Sequence, residues 1–386
     1  MKVAMLITDD REPHRAYEKE TPWFGTAPEA VLQGFTNQPG LEVHIVSCTQ
    51  RPMKSPAKLA ENIFFHSLYV PKIGWLRTGY QGCIRAVRRK LREIQPDIVH
   101  GEGSERDQNI SAVFSGFPNV VTIHGNMAAL ARQFRAFPGT YLWLAGFIEN
   151  IAIPRAGGVL CNSAYTEALV RPRNPRTWRV SNPLRAAFFN PIPERPPNDL
   201  PRLINVGVIS PRKQQVELLA ILKRLHDLGH SFQMEFIGQL DENGAYGRTF
   251  LDAIGPAAEQ GYAIYSGVKE VDELIATLDH TDGCVHFPTE EAFGLIVAEA
   301  MARNLKFFGS RVGGIIDIAE SVDGAELFAS GDWAGLEGGL VRWIQAGWPR
   351  PRDAAQIMTE RYHPRVIAEK HLEIYREVLA RPSSRR

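Results

Sequence analysis

The sequence predicts two α/β domains, each built around a largely parallel sheet, and three observations support this. The chain has 386 residues, more than the roughly 250–300 residues at which single hydrophobic cores stop growing. Apolar strand patterns alternate with helical patterns, as crossover connections between parallel strands require. The alternation stops at the proline-dense stretch Asn190–Pro201 and then starts again. That stretch is therefore predicted to link the two domains.

The first series of elements opens with Lys2–Thr8, a continuous apolar run typical of a parallel strand buried on both faces. Further strands are predicted at Leu41–Cys48, Asp97–His100, Val120–His124, Gly158–Asn162 and Trp178–Val180, with helices at Ala27–Phe35 and Cys83–Ile94. This succession predicts one parallel sheet covered by helices.

The second series repeats the architecture without closely repeating the sequence. Strands are predicted at Leu203–Val208, Gln233–Gly238, Ala263–Gly267, Gly283–Phe287 and Lys306–Gly309, and helices at Val216–Leu228, Phe250–Gln260, Val271–Leu278 and Leu295–Ala302. A last helix is predicted at Pro364–Ala380, where Ile367, Ile374, Tyr375 and Val378 share one face with His371. Its proline stands in the first turn, where the missing N–H costs no helical hydrogen bond.

Composition argues against several other classes of protein. No run approaches the roughly 18 apolar residues of a membrane span. The segment Met1–Ile7 is short and is followed by acidic residues, which predicts a first strand and not a signal peptide. The four cysteines are Cys48, Cys83, Cys161 and Cys284. Because they are widely scattered, we expect neither a disulfide framework nor a zinc site, and a reducing cytoplasm fits.

The small net charge of +1 hides an asymmetry between the two halves. Residues 1–185 hold 23 Lys and Arg against 15 Asp and Glu, whereas the remainder holds 21 against 28. The basic excess is densest at Arg85, Arg88, Arg89, Lys90 and Arg92. A solvated helix face and a peripheral dock for anionic lipid head groups at a membrane surface both explain this cluster. Nucleic-acid binding is disfavoured, because the cluster is local and no binding motif accompanies it.

The segment His286–Asn304 carries the strongest chemical signal. A predicted buried strand ends at Phe287, a loop follows at its carboxyl end, and a helix begins at Leu295. In open α/β sheets ligands bind at this edge, and a helix start offers free N–H groups to a phosphate. Glu291 lies in the loop and Glu299 in the helix. A carboxylate can accept hydrogen bonds from both hydroxyls of a ribose, although two solvated glutamates would show the same spacing.

The same segment resembles the glutamate-x7-glutamate signature of the GT4 family of retaining glycosyltransferases. The family pattern is Glu-Gly-Phe-Gly-Leu followed by a Glu-Ala-Met-Ala helix. This chain has Glu291-Ala292-Phe293-Gly294-Leu295 and Glu299-Ala300-Met301-Ala302. Gly207 with Arg212-Lys213, the glycine-rich loop Gly309–Gly314 and the final helix extend the resemblance through the C-terminal half, and more weakly into the first half.

The resemblance implies the GT-B fold, in which two Rossmann-like domains with parallel sheets face each other across a cleft. The acceptor-binding domain would span residues 1–185, with the helix 364–386 packing back on it. The donor-binding domain would span residues 186–363.

The resemblance also implies roles for individual residues. Glu299 would bind the ribose and Glu291 the donor sugar near the reacting carbon. Phe293, Gly294 and Leu295 would offer backbone N–H groups, Lys213 would neutralise the diphosphate, and His124 would face the sugar and acceptor. Gly25 and Thr26 match the first-domain glycine loop. Gly238 and Val268 stand where backbone atoms would contact the base.

The chain departs from the family pattern at several positions. Val208 stands where the family has a phosphate-binding arginine, and we hypothesise that Arg212 supplies the missing charge. The first-domain glycine pair is Gly25-Thr26, and the usual Pro-Glu after the glycine-rich loop is Ile316-Asp317.

Metal-independent chemistry is expected, with no cofactor. Departure of a diphosphate requires either a bound divalent metal or fixed cations and dipoles. No Asp-x-Asp pair of the kind that holds a metal occurs in the sequence, whereas Lys213 and a helix start are present. The predicted function is retaining sugar transfer from a UDP-, GDP- or ADP-sugar, for example in polysaccharide biosynthesis. The base, the sugar and the acceptor (a glycan, a lipid-linked glycan or a small molecule) stay open.

Two alternative functions compete with this prediction. A non-catalytic GT-B protein that binds a nucleotide or sugar without turnover is supported by Val208. A Rossmann oxidoreductase is disfavoured, because no glycine lies in Thr8–Arg15 after the first strand.

The loop Asp9–Phe24 is long enough to be an acceptor-binding lid or a disordered surface segment. His100 and His286 both end strands, and for both a structural role is favoured. Gly101-Glu102-Gly103 follows His100 at a strand's carboxyl end and is a secondary candidate for the acceptor side.

Overall fold

The computed structural model describes residues 1–194 and 196–380, and the chain divides into two compact units. The N-terminal unit consists of Met1–Arg185 together with the chain from His363 onward, and the C-terminal unit of Ala186–Tyr362. No helix of the described residues has both the length and the hydropathy needed to cross a bilayer.

The N-terminal unit contains an eight-stranded sheet. Its strands are β1 (Lys2–Leu6), β2 (Glu42–Thr49), β3 (Lys58–Ala60), β4 (Ile63–Tyr69), β5 (Ile98–Glu102), β6 (Asn119–Ile123), β7 (Val159–Cys161) and β8 (Thr177–Arg179). They lie in the order β3-β4-β2-β1-β5-β6-β7-β8. All neighbours are parallel except β3 and β4. The central strand β1 is apolar and buried from Val3 to Leu6 because helices cover both faces of the sheet.

The helices of this unit are α1 (Thr26–Phe35), α2 (Gln81–Ile94), α3 (Gln108–Val113), α4 (Met127–Gln133), α5 (Tyr141–Ala152), α6 (Ala164–Val170) and α14 (Pro364–Ala380). Apolar residues of α2, α3 and α5 form the core on one face of the sheet, and those of α1 and α14 form the core on the other. Gly34 allows the two helices α1 and α14 to touch, since a Cβ there would lie 2.3 Å from the carbonyl oxygen of Pro364.

The C-terminal unit contains a six-stranded sheet in which every neighbour is parallel. Its strands are β9 (Arg202–Val206), β10 (Gln233–Ile237), β11 (Ala263–Tyr265), β12 (Gly283–His286), β13 (Lys306–Ser310) and β14 (Ala325–Phe328), in the order β11-β10-β9-β12-β13-β14. Its helices are α7 (Gln215–Asp227), α8 (Ala245–Glu259), α9 (Val271–Asp279), α10 (Leu295–Ala302), α11 (Gly313–Ala319), α12 (Trp333–Gln345) and α13 (Ala354–Tyr362).

The proline-dense stretch 190–201 was predicted to link the two domains, but the structure places its described part inside the C-terminal unit. The border between the units falls at Arg185–Ala186, so the described part of 190–201 belongs to the C-terminal unit. The reason is Arg303, whose buried guanidinium donates to the carbonyl oxygens of Asn190 (2.6 Å) and Phe188 (3.2 Å). The same guanidinium forms an ion pair with Asp279, with 2.7 Å between Arg303 Nε and Asp279 Oδ1. These contacts tie the start of the stretch to its own unit.

Candidate active site

Each sheet has one point at which the strand order reverses, and the predicted site residues lie at those points. In the N-terminal unit the reversal lies between β1 and β5, and in the C-terminal unit between β9 and β12. Connections leave such neighbours in opposite directions, which opens a crevice at their carboxyl ends. Lys213 follows β9, and Glu291 follows β12. Glu102 ends β5, and His124 follows β6 beside it.

In the C-terminal unit, Lys213 and Glu291 form a largely buried ion pair. The ammonium group of Lys213 also lies 3.3 Å from Nε2 of His286, and His286 Nε2 lies 3.1 Å from Oε2 of Glu291. Both charged side chains are about 90% buried, with exposed fractions of 12% and 11%. Three polar groups from two neighbouring strand ends therefore converge on one point.

The charge states in this cluster follow from burial and from the pair itself. Burial opposes ionisation of Glu291, but the His286 hydrogen bond and the Lys213 ammonium outweigh it, so the pKa of Glu291 falls well below its usual range. Burial and the neighbouring Lys213 lower the pKa of His286 to about 4. At neutral pH the cluster thus holds a carboxylate and a neutral imidazole, while burial lowers the pKa of Lys213 against the opposing effect of the Glu291 carboxylate.

The loop that carries Glu291 is held from both sides. The Thr289 N–H donates to the carbonyl oxygen of Arg212 at 2.9 Å, and the Ser310 hydroxyl donates to that of Pro288 at 2.7 Å. The N–H of Gly314 donates to the carbonyl oxygen of Glu291 at 3.0 Å. The glycine-rich loop seen in the sequence therefore supports the glutamate loop by direct backbone contact.

Replacing Gly313 by alanine is expected to damage this support. Its φ is +48°, and a Cβ there would lie 1.8 Å from the carbonyl oxygen of Glu291. We expect a loss of unfolding free energy of about 3–5 kcal/mol, the sum of left-handed strain and steric displacement. Urea denaturation measures it.

Gly331→Ala is the matched control, because Gly331 has φ +81° and no atom within 4 Å of the added Cβ. Its expected cost is the backbone strain alone, about 1–2 kcal/mol. Equal losses of unfolding free energy in the two variants would show that the contact with the Glu291 carbonyl adds no steric cost.

Helix α10 begins directly after the glutamate loop. Its N-cap Gly294 has φ +95°, a left-handed conformation that turns the chain into the helix. Leu295 is its first residue, and the side chain of Phe293 is buried against the ring of Tyr362. Glu299 lies within the helix and is 7% exposed. The N–H groups at the helix start are thus presented to the same crevice edge as Glu291.

Backbone atoms dominate the ends of β9 and β10. A Cβ on Gly238 would lie 2.1 Å from the carbonyl oxygen of Gly207, so the two strand ends touch at glycines. Val208, where the family has arginine, is 55% exposed, and Val268 after β11 is 70% exposed. Neither valine is required by the core, which leaves both accessible to a ligand.

The guanidinium of Arg212 contacts Glu290 of the glutamate loop. Its guanidinium donates to the carbonyl oxygen of Glu290 at 3.2 Å and lies 3.4 Å from the Glu290 carboxylate. Burial raises the pKa of Glu290 despite this cation. Arg212 is therefore a second positive group beside Lys213, held at the mouth of the same loop.

In the N-terminal unit, His124 lies against Glu102. Its Nε2 is 2.8 Å from Oε2 of Glu102, whose side chain is 1% exposed. Burial opposes the charged imidazole, but the hydrogen bond to Glu102 and the carboxylates of Glu102 and Glu105 outweigh it, so the pKa of His124 is raised. The pKa of Glu102 is lowered to about 2, because His100 and His124 outweigh its burial.

His100 anchors this pair from the core. Its Nδ1 lies 2.5 Å from the hydroxyl of Tyr375 in α14, and its Nε2 lies 2.6 Å from the hydroxyl of Thr122. Burial lowers the pKa of His100 to about 4. The side chains of His100, Glu102 and His371 are close enough to resemble a metal cluster. Both nitrogens of His100 have hydrogen-bond partners, which favours a structural role for it.

Gly25 and Thr26 start helix α1, with Gly25 as the N-cap. The φ of Gly25 is −53°, and a Cβ there would meet only Pro28 at 3.9 Å. No steric demand of the described fold therefore requires glycine here, and its small size leaves room for a ligand.

The loop Asp9–Phe24 is anchored rather than free along its length. The fully buried Arg11 pairs with Asp9 at 2.6 Å and donates to the carbonyl oxygens of Lys19 (2.7 Å) and Lys54 (3.0 Å). The prediction of surface disorder is wrong for this anchored part, because a buried arginine with several acceptors holds the backbone in place.

Two family models match most of the chain. The model described as Glycosyltransferase Family 4 matches residues 33–183, and the model described as Glycosyl transferases group 1 matches residues 189–360. The chain belongs to the GT4-type glycosyltransferases. No sequence among curated proteins matches it significantly.

Solved glycosyltransferases share the fold of the whole chain. Sucrose-phosphate synthase from Thermosynechococcus elongatus is 16% identical, with a TM-score of 0.74 over 98% of this chain and 99% of its own. HepE of Anabaena in complex with UDP-glucose is 14% identical, with a TM-score of 0.69 over 98% and 100%. The catalytic domain of starch synthase IV from Arabidopsis thaliana, bound to ADP and acarbose, is 12% identical, with a TM-score of 0.68 over 98% and 99%. The GT4-type chain therefore has the predicted GT-B fold.

Two residues of this GT4-type site were missed by sequence reasoning. His286 was favoured as structural, but it contacts both Lys213 and Glu291. Glu102 was considered only as a weak acceptor-side residue, yet it is the direct partner of His124. The available signal was their shared position at strand carboxyl ends next to the reversal of strand order.

Proposed function

We propose that this protein is a metal-independent, retaining glycosyltransferase that transfers a sugar from a nucleoside-diphosphate donor to an acceptor hydroxyl. The observation that carries the proposal is the buried cluster of Lys213, Glu291 and His286 beside the start of α10. It places a cation, a carboxylate and free helical N–H groups at one ligand-binding edge.

Donor binding is assigned to the C-terminal unit. Lys213, Arg212 and the N–H groups of Phe293, Gly294 and Leu295 would hold the diphosphate, and Glu299 would accept hydrogen bonds from the ribose. Backbone atoms at Gly238 and Val268 would contact the base. Solved relatives in complex with UDP-glucose and with ADP support a nucleotide-bound donor of this kind.

The transfer chemistry separates charge, and this site stabilises it. As the bond between the anomeric carbon and the diphosphate oxygen breaks, negative charge grows on the leaving phosphate beside Lys213 and positive charge grows on the sugar beside Glu291. In the proposed same-face route, the acceptor oxygen bonds to the anomeric carbon and its proton passes to the departing phosphate. Configuration is then retained without a covalent nucleophile on the protein.

The N-terminal unit is assigned the acceptor. Because Nε2–H of His124 donates to Glu102, only the charged imidazole has a second N–H, on Nδ1, to donate to a sugar or acceptor hydroxyl, whereas the neutral imidazole would accept there. Gly25 and Thr26, at the start of α1 in the same unit, would leave space for a ligand. A glycan, a lipid-linked glycan and a small molecule all present the required hydroxyl, and a cytoplasmic location would supply the nucleotide sugar.

The proposal is tested by combining donor binding with turnover. A thermal-shift screen across UDP-, GDP- and ADP-sugars should show one donor that raises the melting temperature by mass action. Transfer or hydrolysis of that donor, with the anomer identified by NMR, should continue unchanged in EDTA. Tight binding with no turnover across a broad acceptor screen would instead support the non-catalytic alternative. Loss of activity in EDTA would reject metal independence.

Replacing Arg212 by alanine tests whether it compensates for Val208. Since one charge-assisted phosphate contact contributes about 1.5–3 kcal/mol, we expect donor affinity to fall by roughly ten- to a hundredfold. Titration calorimetry with the nucleoside diphosphate measures it. Arg311→Ala is a control arginine paired with Glu320 on an exposed surface. Unchanged affinity in Arg212→Ala would reject the compensation.

A further inference from the structure

A helical hairpin of the N-terminal unit exposes an unusual density of aromatic side chains. It is formed by α4, α5 and the turn between them, and is here called the aromatic hairpin. Five large aromatic residues within it are exposed: Phe134 (58%), Phe137 (80%), Tyr141 (51%), Trp143 (37%) and Phe147 (53%). Single exposed apolar residues are ordinary, but a cluster of this size marks a binding surface.

The charge of the aromatic hairpin is entirely positive. No aspartate or glutamate occurs from Met127 to Ile148, whereas Arg132 and Arg135 are both present and exposed. Neither arginine has an ion pair with a carboxylate in the described part of the chain. Aromatic side chains that alternate with unpaired arginines are therefore free to meet a partner that is apolar and anionic.

The two helices enclose an open groove of about 370 Å³. Small residues line part of it, and a Cβ on Gly146 would lie 3.1 Å from the backbone of Ala128. Trp143 and Phe147, whose stacked rings have centroids 5.8 Å apart, also line the groove. Arg132 and Arg135 line it as well. A lining of small and aromatic side chains with two cations fits the boundary between acyl chains and anionic head groups.

The neighbouring surface extends the same character. The short 3-10 turn Leu76–Thr78 packs against α5, and the turn Lys72–Gly74 packs against α2. Ile73, in the second of these turns, is 81% exposed and follows Lys72. Helix α2 then exposes Arg85, Arg88, Arg89 and Arg92. The basic cluster noted in the sequence and the aromatic hairpin thus belong to one helical layer.

We propose that the aromatic hairpin is a membrane anchor that inserts its aromatic side chains into the interface of a bilayer rich in anionic phospholipids. Trp, Tyr and Phe are the residues that settle at head-group depth, and arginines near them attract anionic lipid. A protein partner would be expected to meet a flatter patch with a paired polar rim. Helix α4 begins three residues after His124, so anchoring would hold that edge of the unit close to the membrane.

Vesicle co-sedimentation of the full chain tests the proposal independently of any sugar transfer. We expect binding to vesicles of phosphatidylcholine with phosphatidylglycerol, and at least about tenfold weaker binding to phosphatidylcholine alone, because each cation near an anionic surface strengthens binding about fivefold. Binding should weaken as salt rises. Equal binding to both vesicle types, or none to either, would overturn the proposal.

Two variants locate the contact. Phe137→Ala with Trp143→Ala should weaken binding to the anionic vesicles at least about tenfold, since both rings leave the interface. Arg132→Gln with Arg135→Gln should weaken it similarly and flatten the salt dependence. Leu228→Ala is the control, because Leu228 is 71% exposed in the C-terminal unit. The control should bind the anionic vesicles as the parent does. Unaltered binding in both hairpin variants would overturn the assignment.

Fluorescence identifies the inserted residue directly. Brominated lipids should quench part of the tryptophan emission, and Trp143→Phe should remove that part while preserving vesicle binding. An unchanged melting temperature verifies that each variant is folded. We expect this result because the substituted side chains are exposed. If the hairpin variants instead abolish a dimer seen by light scattering and leave vesicle binding unchanged, the surface joins two copies of the chain and the membrane proposal fails.

Discussion

Replacing Glu291 by glutamine should separate nucleotide binding from turnover. The carboxylate holds Lys213 by an ion pair in the described structure, and it would repel a diphosphate. Its neutralisation should leave affinity for the nucleoside diphosphate unchanged or up to about tenfold tighter, since one nearby negative charge is removed. Turnover should fall by about 10²–10³, the usual cost of losing one electrostatic contact to a transition state. Calorimetry and initial-rate kinetics measure the two effects.

Glu290→Gln is the matched control for Glu291→Gln. It removes a carboxylate from the adjacent position of the same loop, where Arg212 and not Lys213 is the partner. We expect its turnover to stay within about threefold of the parent. If Glu291→Gln lowers nucleotide affinity and turnover by the same factor, Glu291 is a ground-state binding residue and its role at the reacting carbon is rejected.

Replacing Glu102 by glutamine should lower the pKa of His124. The parent pKa is raised because the Glu102 hydrogen bond and the nearby carboxylates outweigh burial of the imidazole. Loss of one carboxylate at 2.8 Å should therefore lower it. The limb of the pH–rate profile that reports His124 should move to lower pH by the same amount. Histidine NMR titration, assigned with His124→Asn, measures the pKa directly.

The same variant has a stability signature with a definite sign. A raised histidine pKa stabilises the fold fully below the unfolded value near 6.5, and this stabilisation is lost as pH rises through the folded pKa. Glu102→Gln should therefore cost most at mildly acidic pH, about 1–3 kcal/mol, and less at alkaline pH. A cost that is independent of pH would indicate lost packing and contradict a positioning role for Glu102. Gln108→Ala nearby serves as a buried polar control.

Local patterns allowed much of the fold to be predicted from sequence. The strand at Lys2 and the helix at Pro364 lie where their apolar patterns placed them, and the helix at Leu295 begins where the strand–loop–helix motif placed it. Elements without such periodicity were missed. Helix α5 is apolar on its exposed face as well as its buried face, so Trp143 and Phe147 obscure the helical period. Strand β4 mixes histidine and serine into its run and was missed for the same reason.

The predicted site has the same division. Glu291, Gly294 and Glu299 could be singled out because they stand in one short contiguous segment that resembles the GT4 signature. The pairing of Lys213 with Glu291 joins residues 78 positions apart, and no local rule specifies it. The contact of His100 with Tyr375 joins residues 275 positions apart. It confirms the structural role favoured for His100, whereas His286 proved to be part of the cluster.

The sequence by itself determined the two-domain α/β architecture, the family and the helix that begins at Leu295, because periodicity, prolines and glycines act over a few residues. Only the tertiary structure decided the direction in which the pKa values of His124 and Glu291 shift, the anchoring of Arg11 and Arg303, and the exposure of the aromatic hairpin. Burial and long-range pairing set these properties, and both depend on which distant segments the sheet order brings together.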